Sequence, residues 1–208
     1  AVEEYSMFYP HKGWAEQDME EIYRASVKNI KTIIERSQVN SRDIKAISFD
    51  GGTHIAVLLD DKNNVIRPAI YWSDSRSVEE SAELKAIKDE LMELSYNSPG
   101  PIWTLPQMMW LKRHEPENFK RIVKVLFLKD YVRYRFTGKM ASDSIEVMGA
   151  MMRDEPKNDW SDKLLALCGL NRDQMPQVLD PADIAGTPLP EICAETGLSP
   201  DTLVAVGA

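Results

Sequence analysis

Residues 47–76 read ISFDGGTHIAVLLDDKNNVIRPAIYWSDSR, and the rest of the chain can be organised around them. Ile44 to Phe49 and Ile55 to Leu59 are short, apolar and rich in β-forming residues, with Gly51-Gly52 between them, which predicts strand, turn, strand. Asp60 to Asn64 is a polar turn, and Val65 to Trp72 is a further extended stretch interrupted by Pro68. Leu58 and Leu59 stand side by side with no polar alternation, so their strand is expected to be buried on both faces. Polar side chains at the ends of such a strand are placed to meet a ligand. The candidates are Asp50, Thr53 and His54 at one end, and Trp72, Asp74 and Arg76 at the other.

Working outward, Val2 to Tyr9 reads as a strand and Pro10 to Trp14 as a turn. From Asp18 to Glu35 the apolar residues Met19, Ile22, Tyr23, Val27, Ile30, Ile33 and Ile34 form a helical stripe, with Asp18 as N-cap and Glu20 and Glu21 at the positive end of the dipole. Val78 to Leu94 reads as one charged amphipathic helix, and Ser98 to Pro101 as a loop. Thr104 is expected to cap a helix from Leu105 to His114, and Pro116 opens another. Val123 to Phe127 is a strand, and Lys129 to Phe136 a helix stopped by Gly138. Ser161 to Leu167 and Pro190 to Glu195 are helices ended by Gly169 and Gly197, and Leu203 to Val206 is a final strand. Strands alternating with helices make the class α/β.

A chain of 208 residues with 43% hydrophobic and 28% charged residues can bury a real core. Its net charge of -8 argues against nucleic acid and against an anionic membrane surface as partners. No stretch approaches the ~20 apolar residues of a membrane span. Ala-Val-Glu-Glu-Tyr at the start lacks the basic region and apolar core of a signal peptide, and it lacks an initiator methionine, so the chain is expected to begin partway through a longer protein. Cys168 and Cys193 read as reduced thiols, as a cytoplasmic protein would keep them. Cysteine and histidine spacing gives no metal site.

At residues 50–76 the sequence resembles the first domain of FGGY-type carbohydrate kinases, and xylulose kinases most of all. In that family a Ser-Gly-Gln-Met-His-Gly-like turn is followed by a Leu-Leu-Asp strand, an Arg-Pro-Ala-Ile strand and a Trp-x-Asp-x-Arg segment. The matching pieces are Asp50 to Ile55, Leu58-Leu59-Asp60, Arg67 to Ile70, and Trp72 to Arg76. Gly13 to Asp18, Trp110-Leu111-Lys112, His114-Glu115-Pro116, Lys129-Asp130-Tyr131, Thr137-Gly138 and Asp159-Trp160-Ser161 have counterparts in the same order. The family's lysine before Trp110 is Gln107, and its Gln-Met before the histidine is Gly52-Thr53. These departures bear on the identity of the sugar more than on the fold.

The resemblance implies an actin-like (ribonuclease H-like) sugar-kinase N-terminal domain over 1–208, a mixed sheet flanked by helices, incomplete at both ends and without the ATP-clamping C-terminal domain. The parent protein is expected to phosphorylate a ketopentose such as D-xylulose with ATP and Mg²⁺. Alternatives are L-xylulose, ribulose, gluconate or glycerol as substrate, or a non-catalytic sugar-binding or interaction domain of the same fold. By family position the sugar is expected to meet Thr53, His54, Trp72, Asp74, Arg76, Trp103 and Thr104. Asp74 and Arg76 also read as a simple ion pair. Asp50-Gly51-Gly52-Thr53 has the composition of a phosphate turn, since glycines let a backbone approach phosphate. Its flanks match the sugar side instead. The catalytic aspartate is expected just beyond Ala208, so the chain alone is expected to be inactive, to bind no cofactor, and to self-associate over surface left open by the missing strands.

Overall fold

The structure is a computed structural model and describes residues 1–207. Its centre is the strand Ala56–Leu59, paired antiparallel with Lys124–Phe127 so that Ala56 faces Phe127 and Leu59 faces Lys124. All four residues of Ala56–Leu59 are buried, and they alternate between two cores. Ala56 and Leu58 pack with Leu105, Trp110, Phe127 and Met151, whereas Val57 and Leu59 pack with Met19, Ile22, Leu126 and Phe136. A strand between two cores has no face to give to water, which is why its sequence shows no polar alternation.

Three short strands, Met7–Phe8, Glu16–Gln17 and Ala69–Ile70, form an antiparallel sheet. Leu203–Ala205 runs parallel to Ala46–Ile47 and antiparallel to Ile184–Gly186, and Ala141–Asp143 runs parallel to Gln177–Leu179. Arg153–Asp154 and Asp159–Trp160 make a small hairpin. The second core is covered by Met19–Ser37, Leu128–Thr137 and Pro190–Thr196; the first by Val78–Leu84, Lys88–Ser95, Thr104–His114 and Asp162–Cys168. Pro116–Lys120 and Ser144–Met148 are short connecting helices. Asp18 caps Met19–Ser37, its carboxylate accepting from the amides of Glu20 at 2.7 Å and Glu21 at 3.4 Å. Gly138 ends Leu128–Thr137 in the left-handed region, at φ 71°.

The fold class is α/β as expected, with several differences in detail. The first strand is only Met7–Phe8. The expected helix from Val78 to Leu94 is two helices joined by a tight turn at Lys85–Ile87, because its halves serve different neighbours: Val78–Leu84 packs on Thr104–His114, and Lys88–Ser95 on the Arg153–Lys157 segment. Thr104 is the first residue of its helix rather than the cap, and its hydroxyl donates elsewhere. The strands Ala141–Asp143, Gln177–Leu179 and Ile184–Gly186 are additions that the sequence reading lacked. Among the described residues no helix is long and apolar enough to cross a membrane.

Candidate functional site

Antiparallel pairing brings the start of Ala56–Leu59 to the end of Lys124–Phe127, so the Asp50–His54 turn meets the first turn of Leu128–Thr137. The fit is close: a Cβ on Gly51 would lie 2.8 Å from Leu128 Cδ2, and one on Gly52 would lie 2.5 Å from Ile55 Cδ1 and 3.8 Å from a Tyr71 ring carbon. Both glycines therefore pack on protein side chains in the direction a Cβ would take, while Gly51 stays exposed. Thr53 is exposed beside them.

His54 ends this turn in the left-handed region, at φ 49°, which costs a non-glycine residue roughly 1 kcal/mol or more. Side chains from two other elements hold its backbone. The His54 amide donates to Glu146 Oε1 at 2.5 Å, and the Thr104 hydroxyl donates to the His54 carbonyl at 2.7 Å. The imidazole packs against Trp103, ring centroids 5.1 Å apart, and its Nδ1 is buried with no protein partner. Burial pushes the imidazole down to about 4, so it is neutral near pH 7. Burial, with the charge of Asp130 adding to it, pushes the Glu146 carboxyl up to about 8.

Behind the turn lies a buried ionic cluster. Lys129 Nζ binds Asp130 at 2.9 Å and also Asp143; Arg133 binds Asp130 at 2.9 Å and donates to the carbonyls of Ala141 and Val206. Burial opposes the charge on Lys129, but the charge of Asp130 and the bonds to Asp143 and Asp130 outweigh it and raise its pKa. Burial likewise opposes the charge on Asp143, yet Lys129 and the amides of Glu146 and Ile145 hold its carboxyl below the usual range. A Cβ on Gly207 would stand 3.1 Å from Asp143 Oδ2, so the end of the Leu203–Ala205 strand arrives at this cluster. The histidine turn, the starts of three helices and the end of a strand thus converge.

The sequence-derived candidates divide. Thr53, His54, Trp103 and Thr104 come together here. Asp74 and Arg76 do not: they pair with each other at 2.8 Å, and Asp74 also accepts the Ala15 amide at 2.6 Å. Arg76 reaches Glu16 at 2.8 Å, which also binds Arg67, and its guanidinium lies 3.8 Å from the Trp14 ring centroid and 5.0 Å from that of Trp110. This network ties the Ala15–Gln17 segment to the Ala69–Ile70 strand. Trp72 is 44% exposed beside Tyr71, and it is Tyr71 that packs toward Gly52. Asp50 is exposed, and its carboxylate accepts the Gly51 amide.

Glu146, Gly149, Lys129, Asp130, Arg133 and Asp143 were not nominated from the sequence. Charge in the Leu128–Thr137 helix was the available signal, because Lys129, Asp130, Arg133 and Arg135 crowd a ten-residue helix set between strands. A cavity of about 700 Å³ lies elsewhere, against Lys62, Arg67, Tyr131, Tyr134 and Arg135. Its arginines are already paired, Arg135 with Glu20 at 2.7 Å and Arg67 with Glu115 at 3.3 Å. Among the described residues no cluster of three or more His, Cys, Asp or Glu is arranged to hold a metal ion.

The family model described as "FGGY family of carbohydrate kinases, N-terminal domain" matches residues 1–208. The chain is 39% identical over 206 residues to the xylulose kinase of Escherichia coli K12, covering 99% of this chain and 42% of that protein. It is similar to the crystal structure of a xyloylose kinase from Brucella ovis, with a TM-score of 0.89 and 36% identity over 99% of this chain and 42% of the other. A ligand-bound xylulose kinase from Lactobacillus acidophilus shares the fold at TM-score 0.94 and 22% identity, again over 99% and 42%. The chain thus spans about two fifths of the length of these relatives.

Proposed function

Since the chain belongs to the FGGY family of carbohydrate kinases, over that family's N-terminal domain, we propose that the complete gene product transfers the γ-phosphate of ATP to a hydroxyl of a ketopentose, D-xylulose first. Residues 1–207 contribute binding and orientation of the sugar. The observation that carries this reading is the neutral, backbone-held His54, whose Nδ1 has no protein partner, set against Trp103 beside the ionic cluster. A neutral imidazole can both donate to and accept from sugar hydroxyls. The indole face of Trp103 suits the C–H face of a sugar, and exposed Thr53, next to His54 in the chain, adds a hydroxyl.

Trp72, 44% exposed beside Tyr71, is a second indole available to the sugar. Asp74 and Arg76 serve it indirectly, by fixing the segments on which Trp14 and Tyr71 stand. ATP, with Mg²⁺, supplies the phosphoryl group when bound. The Asp50–Thr53 turn packs against Leu128, Ile55 and Tyr71 and its flanks resemble the sugar-side segment, which favours a sugar role over a phosphate cradle. The role of this chain is to hold the sugar still, since positioning and charge stabilisation supply most of the catalysis in phosphoryl transfer. The unpaired thiols Cys168 and Cys193 support a reducing, cytoplasmic location.

The test is a coupled ADP-release assay on the complete gene product with D-xylulose, L-xylulose, ribulose, gluconate and glycerol. The expected result is the highest kcat/KM on D-xylulose. No sugar-dependent ADP release from any of the panel would overturn the reading, and a preference for gluconate or glycerol would replace the substrate.

A further inference from the structure

We infer that Glu146, with Thr104 and Gly149, forms a clamp that positions His54 and thereby sets the affinity for the sugar. The inference rests on the proposed function for its ligand, but the geometry stands by itself. Glu146 occupies the third position of Ser144–Met148, whose N-cap is Asp143. A glutamate there commonly folds back onto the N-cap amide in a capping box. Here Asp143 accepts the amides of Ile145 and Glu146, while the Glu146 carboxyl turns away to the His54 amide, a residue 92 positions earlier in the chain. A local capping contact is given up for a long-range one.

That contact falls on a residue in a disfavoured conformation. Both peptide groups of His54 are engaged by side chains, the amide by Glu146 and the carbonyl by Thr104, so φ 49° is maintained from two sides. The ring is fixed from a third. A Cβ on Gly149 would lie 2.7 Å from His54 Cδ2 and 3.0 Å from Cγ, so only glycine leaves room for the imidazole. Gly149 itself is at φ -69° and ψ -12°, which alanine adopts freely. Its identity is therefore explained by the His54 ring and not by the backbone. The outcome is an imidazole with one orientation, tilted against Trp103 at 53° between ring planes, whose buried Nδ1 has no protein partner.

Glu146 acts through His54 and touches no reacting atom, so it is a positioning residue. The test uses the complete gene product with histidine labelled at Cε1, the His54 signal being assigned by its loss in His54→Gln. In Glu146→Ala the sugar KM is expected to rise about tenfold, with kcat and the nucleotide KM nearly unchanged, and the His54 signal to shift or broaden. Glu146→Gln, which keeps an acceptor in place, is expected to restore both the KM and the signal. Gly149→Ala, which pushes on the ring from the other side, should raise the sugar KM as Glu146→Ala does, and it stands in if that variant does not fold. An unchanged sugar KM and His54 signal in Glu146→Ala or Gly149→Ala would overturn the clamp. So would equal losses for the sugar and the nucleotide, or a Gln variant as impaired as the Ala one. Should the wild type show no sugar-dependent turnover, the proposed function fails, and the His54 signal alone decides whether the clamp exists.

Discussion

His54 and Glu146 illustrate how burial moves protons in opposite directions on two touching residues. Burial disfavours charge on both, lowering the imidazole to about 4 and raising the carboxyl to about 8. Glu146 is faced by His54, Lys129, Asp130 and Asp143; the Lys129 charge and the His54 amide favour its ionisation, and the two aspartates oppose it. A carboxyl raised in the folded state contributes stability in full below its ordinary value of 4.5, and this is lost as pH rises through about 8. Glu146→Gln removes the ionisation, so its melting temperature should gain on that of the wild type between about pH 5 and pH 9, by an amount equivalent to a few kcal/mol at most. A difference constant across that range would mean the carboxyl titrates normally. For His54 the prediction is kinetic. His54→Ala in the complete gene product should cost about 0.5–1.5 kcal/mol in kcat/KM for D-xylulose, and more if a buried partner is stranded. Unchanged kcat/KM would remove His54 from the sugar site. His54 could be nominated from the sequence as a polar residue at a strand end and by its family position, and Trp103 and Thr104 by family position alone. Glu146 could not, because three residues after Asp143 it looks like an ordinary cap, and only the fold shows that its carboxyl is used elsewhere.

At the scale of elements, Ala56–Leu59 was legible because four apolar residues in a row with β-branched and glycine neighbours leave little choice. Substitution there should report on two cores separately. Leu58→Ala opens the core around Leu105 and Trp110, and Val57→Ala the core around Met19 and Phe136. The leucine truncation should cost about 2–5 kcal/mol in chemical denaturation. A cost below that range would mean the strand is not held between packed layers. Asp18→Ala should cost about 1 kcal/mol through the lost cap. Other elements were illegible for physical reasons. Ala141–Asp143 and Gln177–Leu179 are three-residue strands stabilised by each other across the fold, with too few residues to set up a period. The break at Lys85–Ile87 follows from two packing partners, which local propensity does not register.

For the whole molecule, binding and turnover should separate. The residues proposed for the sugar side, Thr53, His54 and Trp103, are carried by elements that pack on the two cores, and the chain spans about two fifths of the length of its relatives. Phosphoryl transfer fails without charge stabilisation of the moving group, however well the acceptor is held. The 208-residue chain should therefore perturb the amide signals of Gly51, Thr53 and His54 when titrated with D-xylulose, and release no ADP in the presence of sugar and MgATP. MgATP alone should leave Gly51 and Gly52 undisturbed if their turn serves the sugar side. Saturable nucleotide shifts centred on those glycines would return the Asp50–Thr53 turn to a phosphate role. Sugar-dependent turnover by this chain would mean that the catalytic groups lie within these residues after all, with the Lys129, Asp130 and Asp143 cluster the first place to look for them.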